Sequence, residues 1–103
     1  MTYGPFSFLT PSLDEQKLGA WQNASVIPGY DASVWRRDCD GTPIKWDEYG
    51  KLTKHGWEID HRTASVLGGS DGLFNLRARH WQNNRSAGGH LGNPLANLPS
   101  VYR

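Results

Sequence analysis

The chain predicts a small, single-domain α+β fold, and three observations carry that expectation. At 103 residues and 11.5 kDa it is long enough for one modest core and too short for two. The stretch Trp57-Glu58-Ile59-Asp60-His61 alternates apolar and polar residues with the period of a half-buried strand. Two other stretches, one after Ser12 and one from about His80, carry helical signals. Five Trp residues in so short a chain fit a core that leans on large side chains, so Trp21, Trp35, Trp46 and Trp57 are expected to be structural.

Residues 1–20 read as an N-terminal arm and helix. The arm holds Pro5, Pro11 and aromatics without periodicity, with Phe6 and Phe8 as packing candidates. Ser12 is placed to cap a helix opening at Leu13, with Glu15 in the capping-box position and Gly19 interrupting it before Trp21–Ala24. Val26-Ile27-Pro28-Gly29-Tyr30 is a turn signal, and Asp31 or Ser33 starts a short turn toward Trp35. Asp38-Cys39-Asp40-Gly41 reads as a tight turn before Ile44-Lys45-Trp46. It has the opening of a calcium loop, but the third acidic position and the closing bidentate Glu are missing, which excludes that reading. Residues 48–56 form a turn or loop, and the strand Trp57–His61 follows. A glycine-rich excursion, Arg62 to Phe74, lets the chain fold back beside that strand. A helix of about two turns begins near His80, with Trp81 inward, and the Gly88-Gly89 pair ends it. Residues 88–103 read as an extended tail.

Composition narrows the functional classes. Cys39 is the only cysteine, so neither an intrachain disulfide nor a cysteine-based zinc site can form. No apolar run approaches a membrane span, and the N-terminus lacks a basic segment followed by an apolar stretch. The expectation is a cytoplasmic protein without membrane contact. Net charge is only +1, but four Lys and Arg face seven Asp and Glu in residues 1–50, and six face three in residues 51–90. All four His also fall in the second segment. A basic patch is weak evidence for nucleic acid alone, and it coincides here with the chemistry-bearing residues.

Asp60 and His61 end the strand, Asn75 follows fourteen residues after His61, and Asn84 twenty-three after it. Alternation sends Trp57 and Ile59 toward the core and Glu58 and Asp60 away from it. Neighbours directed to different sides suit in-line displacement at phosphorus. A metal held by Asp60 stabilises the leaving oxygen, while His61 activates water on the opposite side. Imidazole suits the base because its ordinary pKa lies near neutrality. Asn75 stands where its amide can tie down the loop carrying His61. Arg85, and with it Arg62, Arg77 and Arg79, are candidate phosphate contacts. His80 is read as a packing residue or a support behind the ligands, and Glu58 as solvent-facing or a similar support.

Together, Trp57-Glu58-Ile59-Asp60-His61, Gly68-Gly69-Ser70-Asp71, Asn75-Leu76 and Trp81-Gln82-Asn83-Asn84-Arg85 resemble the HNH nuclease family, whose fold is the ββα-metal (His-Me) finger. The likeness extends upstream through Gly29-Tyr30-Asp31, Trp35-Arg36-Arg37-Asp38, Gly41, Ile44 and Tyr49-Gly50, and covers roughly residues 21–87, with the small stand-alone HNH proteins as the nearest type.

The resemblance implies a ββα-metal core with an N-terminal helical extension. It implies metal-dependent endonuclease activity on DNA, with Asp60 and Asn84 as metal ligands, His61 as general base and Asn75 orienting the His61 loop. The implied cofactor is Mg2+ or another divalent cation such as Mn2+. Many HNH domains also hold a structural zinc, and the corresponding positions here are Arg37, Asp40, His80 and Asn83. No structural zinc is expected; polar pairing, such as Arg37 with Asp40, takes its place. The chain departs from the family pattern at Arg62-Thr63-Ala64, at Arg79, and at Ala87, where a Lys is usual. Those departures support an alternative, a catalytically degenerate HNH-fold module that binds DNA or assembles with a partner. A third reading is a protein-interaction domain whose polar set only staples the core.

Overall fold

A computed structural model describes residues 11–63, 68–69 and 72–88. The readings of the arm over residues 1–10, of Ser70 and Asp71, and of the tail beyond Gly88 lie outside the described residues. The element order is α1 (Leu13–Gln22), β1 (Ser25–Val26), β2 (Trp35–Arg37), β3 (Pro43–Lys45), β4 (Trp57–His61), β5 (Leu76–His80) and α2 (Trp81–Ser86), with 3-10 turns at Trp46–Glu48 and Leu73–Asn75. The domain is α+β, with two small antiparallel sheets, one ordered β1-β2-β3 and the other a β4-β5 pair.

Local chemistry sets the ends of α1. The Ser12 side chain accepts from the Glu15 backbone N–H at 3.1 Å, and the Glu15 carboxylate accepts from the Ser12 N–H at 3.0 Å. This reciprocal box satisfies two amides that the first turn leaves without helical partners. Those bonds also lower the Glu15 pKa. Gly19 does not end the helix, as propensity alone suggests; α1 runs through it to Gln22. A Cβ there would lie 2.9 Å from Leu73 Cδ2, so the missing side chain lets α1 sit close against the turn before β5. Asn23, just past the helix, donates its amide to the Leu73 and Leu76 carbonyls at 3.0 and 2.7 Å.

The β4-β5 ladder decides what faces what. It pairs Trp57 with His80, Glu58 with Arg79, Ile59 with Ala78, Asp60 with Arg77 and His61 with Leu76. Cross-strand partners share a face and successive residues alternate between faces. One face therefore carries Trp57, Ile59, Ala78 and Leu76, and α1 covers it. The core gathers Ala20, Trp21, Ile44, Trp57, Leu76 and Ala78. Its aromatic centre is Trp57, wholly buried, with ring centroids 5.3 Å from Trp21, 5.7 Å from Trp46 and 4.9 Å from Tyr49. The Trp57 indole N–H is shared between the Lys45 and Trp46 carbonyls at 2.9 and 3.2 Å, which joins the hairpin to the end of β3. Trp35 differs from expectation. It is half-buried outside this cluster, edge-on to the His55 ring at 4.8 Å.

The other face of the hairpin carries Glu58, Asp60, Arg77 and Arg79 and is covered from one side by α2. Helix α2 starts against the hairpin because Trp81 donates its backbone N–H to the Gly56 carbonyl at 3.3 Å and its indole N–H to the Thr53 carbonyl at 2.7 Å. A Cβ on Gly56 would collide with the Lys51 carbonyl oxygen, so that tight passage into β4 needs glycine.

Candidate functional site

The polar face of the hairpin is a cross-strand array of opposite charges. The Asp60 carboxylate accepts from Arg77 Nε at 2.9 Å and from Arg79 Nη1 at 3.4 Å, and both contacts fall on Oδ2. Asp60 is 8 % exposed. It does leave the strand away from the core, as alternation requires, yet not toward solvent, because Arg77 opposite it and Arg79 diagonal to it close over it. Arg79 also donates to Asp40 Oδ2 at 2.9 Å. Burial pulls the Arg79 guanidinium down, but the Asp40 hydrogen bond and the surrounding anionic groups raise it on balance. Arg79 therefore stays charged.

Next to this pair lies a second. Glu58 accepts from Arg85 Nη2 at 2.7 Å and from Arg85 Nε at 3.2 Å. It also accepts from the Asn84 side-chain N–H at 3.2 Å. The solvent-facing expectation for Glu58 is thus corrected: α2 lies over it, and two α2 residues bond to it. Asn84 is 1 % exposed. With its amide nitrogen aimed at Glu58, its Oδ1 is the buried side-chain polar atom that has no hydrogen-bond partner among the described residues. A buried carbonyl oxygen left unpaired forfeits about 1–3 kcal/mol, so such an atom needs an explanation.

Beyond Asp60 the strand ends at His61, which is half-buried and pairs with Leu76, so the two neighbours leave β4 on opposite faces. Asn75 holds the segment that follows. Its Oδ1 accepts from the Thr63 N–H at 2.8 Å, its Nδ2 donates to the Thr63 carbonyl at 3.0 Å, and its backbone carbonyl accepts from the Arg62 N–H at 2.7 Å. A side-chain amide thereby continues the pairing two residues past the end of β4. Asn75→Ala is expected to speed amide exchange at Thr63 by about tenfold while leaving Ile59 protected, as measured by native-state hydrogen exchange. Arg62 is exposed.

His80 is a buried packing residue. It ends β5 and caps α2, with Nδ1 accepting from the Gln82 N–H at 3.1 Å and Nε2 donating to the Lys54 carbonyl at 2.9 Å. Both ring nitrogens are occupied, which leaves neither for a metal. The four positions that correspond to the family's zinc ligands are likewise tied by protein groups, though not by the Arg37–Asp40 pair expected. Arg37 donates to the Gly41 carbonyl at 3.0 Å, and Asp40 pairs with Arg79.

The residue that fastens this corner is Asp38, which sequence reading placed only in a turn. It is 3 % exposed and takes four N–H donors. The backbone N–H groups of Asp40 and Thr42 bond Oδ1 at 2.9 and 2.8 Å, and the backbone N–H of His80 and the Asn83 side-chain amide bond Oδ2, each at 2.9 Å. Asn83 also donates to Thr42 Oγ1 at 2.8 Å. Asp38 thus joins the β2-β3 turn to the β5-α2 junction. Cys39 beside it is exposed, and burial of its thiol outweighs the nearby arginines and raises its pKa, so it remains a thiol at neutral pH.

Among the described residues no group of three or more His, Cys, Asp and Glu is arranged to hold a metal, and no helix is long and apolar enough to cross a membrane. Magnesium does not require such a group, since it commonly takes one or two protein oxygens and completes its shell with water and phosphate. A carboxylate with one oxygen outside both arginine bonds and an unpaired buried carbonyl are hard oxygen donors of that kind. No family model matches the chain, and no curated protein or solved structure matches it.

Proposed function

We propose that the protein is a metal-dependent endonuclease that hydrolyses phosphodiester bonds in DNA, built on a ββα-metal finger made of β4, β5 and α2. The observation that carries this reading is the buried Oδ1 of Asn84, without a hydrogen-bond partner among the described residues, on the side of the hairpin that also bears Asp60. These two residues would hold a divalent cation, which supplies Lewis-acid stabilisation of charge on the scissile phosphate and the leaving oxygen. Glu58 supports the set by fixing the Asn84 amide, so that the carbonyl and not the nitrogen is presented. At the strand end His61 accepts the proton of the attacking water, and Asn75 limits the movement of the backbone that follows it. DNA, in preference to RNA, rests on the HNH resemblance.

Replacement of either ligand should separate chemistry from folding. Asp60→Asn and Asn84→Ala are each expected to lower nicking of supercoiled plasmid by about 10²-fold or more, with the circular dichroism of the fold retained. Wild-type nicking by both variants would rule out this cation site.

One observation favours the alternative of a non-catalytic DNA-binding or assembly module: Asp60 Oδ2 is already occupied by Arg77 and Arg79. On that reading DNA binding is salt-sensitive, survives chelator and is never followed by cleavage.

A further inference from the structure

We propose that Arg77 and Arg79 form a clamp that holds Oδ2 of Asp60 and weakens its hold on a cation until a phosphodiester takes over a guanidinium, so that divalent metal and nucleic-acid backbone bind this face as a pair. The inference rests on the reading of Asp60 as a metal ligand and adds to it a rule for when the ligand becomes available.

Charge balance is the first argument. The array formed by Asp40, Glu58 and Asp60 with Arg77, Arg79 and Arg85 holds three charges of each sign. A divalent cation arriving alone would set two added positive charges beside guanidinium groups whose side chains are only 29 % and 13 % exposed. Such repulsion is stronger there than in open solvent. A phosphodiester arriving with the cation brings the compensating negative charge.

Geometry is the second argument. Both arginines bond the same oxygen, Oδ2 of Asp60, and a guanidinium that fits a carboxylate also fits a phosphate. Arg79 is held at its Nε by Asp40 as well. Arg77, the more exposed of the two, has its ion pair with Asp60. Arg77 is therefore the arm that exchanges, and Arg79 the fixed wall.

The test uses the full-length chain in a His61→Ala background, so that DNA survives the measurement. Mn2+ alone is titrated and free Mn2+ read by electron paramagnetic resonance; then the affinity for a labelled DNA duplex is read by fluorescence anisotropy, at constant ionic strength, in Mn2+ and in chelator. The clamp predicts that Arg77→Gln tightens Mn2+ binding without DNA by about tenfold, the size of an ordinary coupling between two sites. It predicts that Mn2+ strengthens duplex binding by about tenfold in the parent and by about threefold or less in the Arg77→Gln protein. Arg77→Lys, which keeps a cation but loses the planar fork, should fall between them and serves if the glutamine variant folds poorly. A merely structural Arg77 would leave Mn2+ affinity unchanged or lowered on replacement, and that result overturns the clamp. Equal Mn2+ binding by parent and variant removes the clamp alone, whereas no Mn2+ binding with or without DNA removes the metal reading of Asp60 along with it.

Discussion

Replacing His61 with Ala is expected to lower strand cleavage by about 10²–10⁴-fold, the usual contribution of a positioned general base. The fold should survive. His61 ends β4 opposite Leu76 and is half-buried, and it lies outside the core of Ala20, Trp21, Ile44, Trp57, Leu76 and Ala78. On the proposed reading the metal and phosphate contacts belong to other residues, so DNA affinity should also remain. Rates of plasmid nicking, together with duplex binding and thermal unfolding, check all three parts. A variant that nicks at the wild-type rate would move the base elsewhere in the chain.

The largest effect on stability should come from a residue without any assigned chemistry. Asp38→Asn is expected to cost about 3 kcal/mol, because an amide nitrogen must then face N–H donors where a carboxylate oxygen accepted them. Asp38 receives backbone donors from Asp40, Thr42 and His80 and a side-chain donor from Asn83. The substitution keeps the shape of the side chain, which separates the hydrogen-bond effect from any cavity. Urea unfolding should show a lower midpoint with an unchanged slope. A loss below about 1 kcal/mol would mean that the β2-β3 turn and the β5-α2 junction hold together without this carboxylate.

These two residues also mark what could and could not be read beforehand. The capping box of Ser12 and Glu15, the strand at Trp57–His61 and the start of α2 at His80–Trp81 were legible, because each is written in local spacing. Strands β1, β2 and β3 were not, since two or three residues give no period to detect. Asp38 was hidden for another reason. Two of its partners, His80 and Asn83, lie more than forty positions away, and no spacing rule reaches that far. The pairing of Asp60 with Arg77 had a signal that went unused. Leu76-Arg77-Ala78-Arg79-His80 alternates apolar and basic just as Trp57–His61 alternates apolar and acidic, and antiparallel pairing of the two sets matches the charges.

On the proposed reading, the ion pairs of the hairpin face bear on how a chain with so little net charge would meet phosphate. The three arginines of this face are held in ion pairs, with Arg77 and Arg79 on Asp60 and Arg85 on Glu58. If DNA is the partner, those three arginines contribute to its attraction only once the pairs rearrange. Binding should weaken with salt less steeply than for proteins with many free Lys and Arg contacts.

Strand cleavage by the purified wild-type chain is the most direct test of the central claim. Supercoiled plasmid incubated with the protein and Mg2+ or Mn2+ should be converted to the open-circular form, and chelator should stop the conversion. Plasmid that stays supercoiled under both conditions, with DNA bound throughout, would contradict the hydrolytic account.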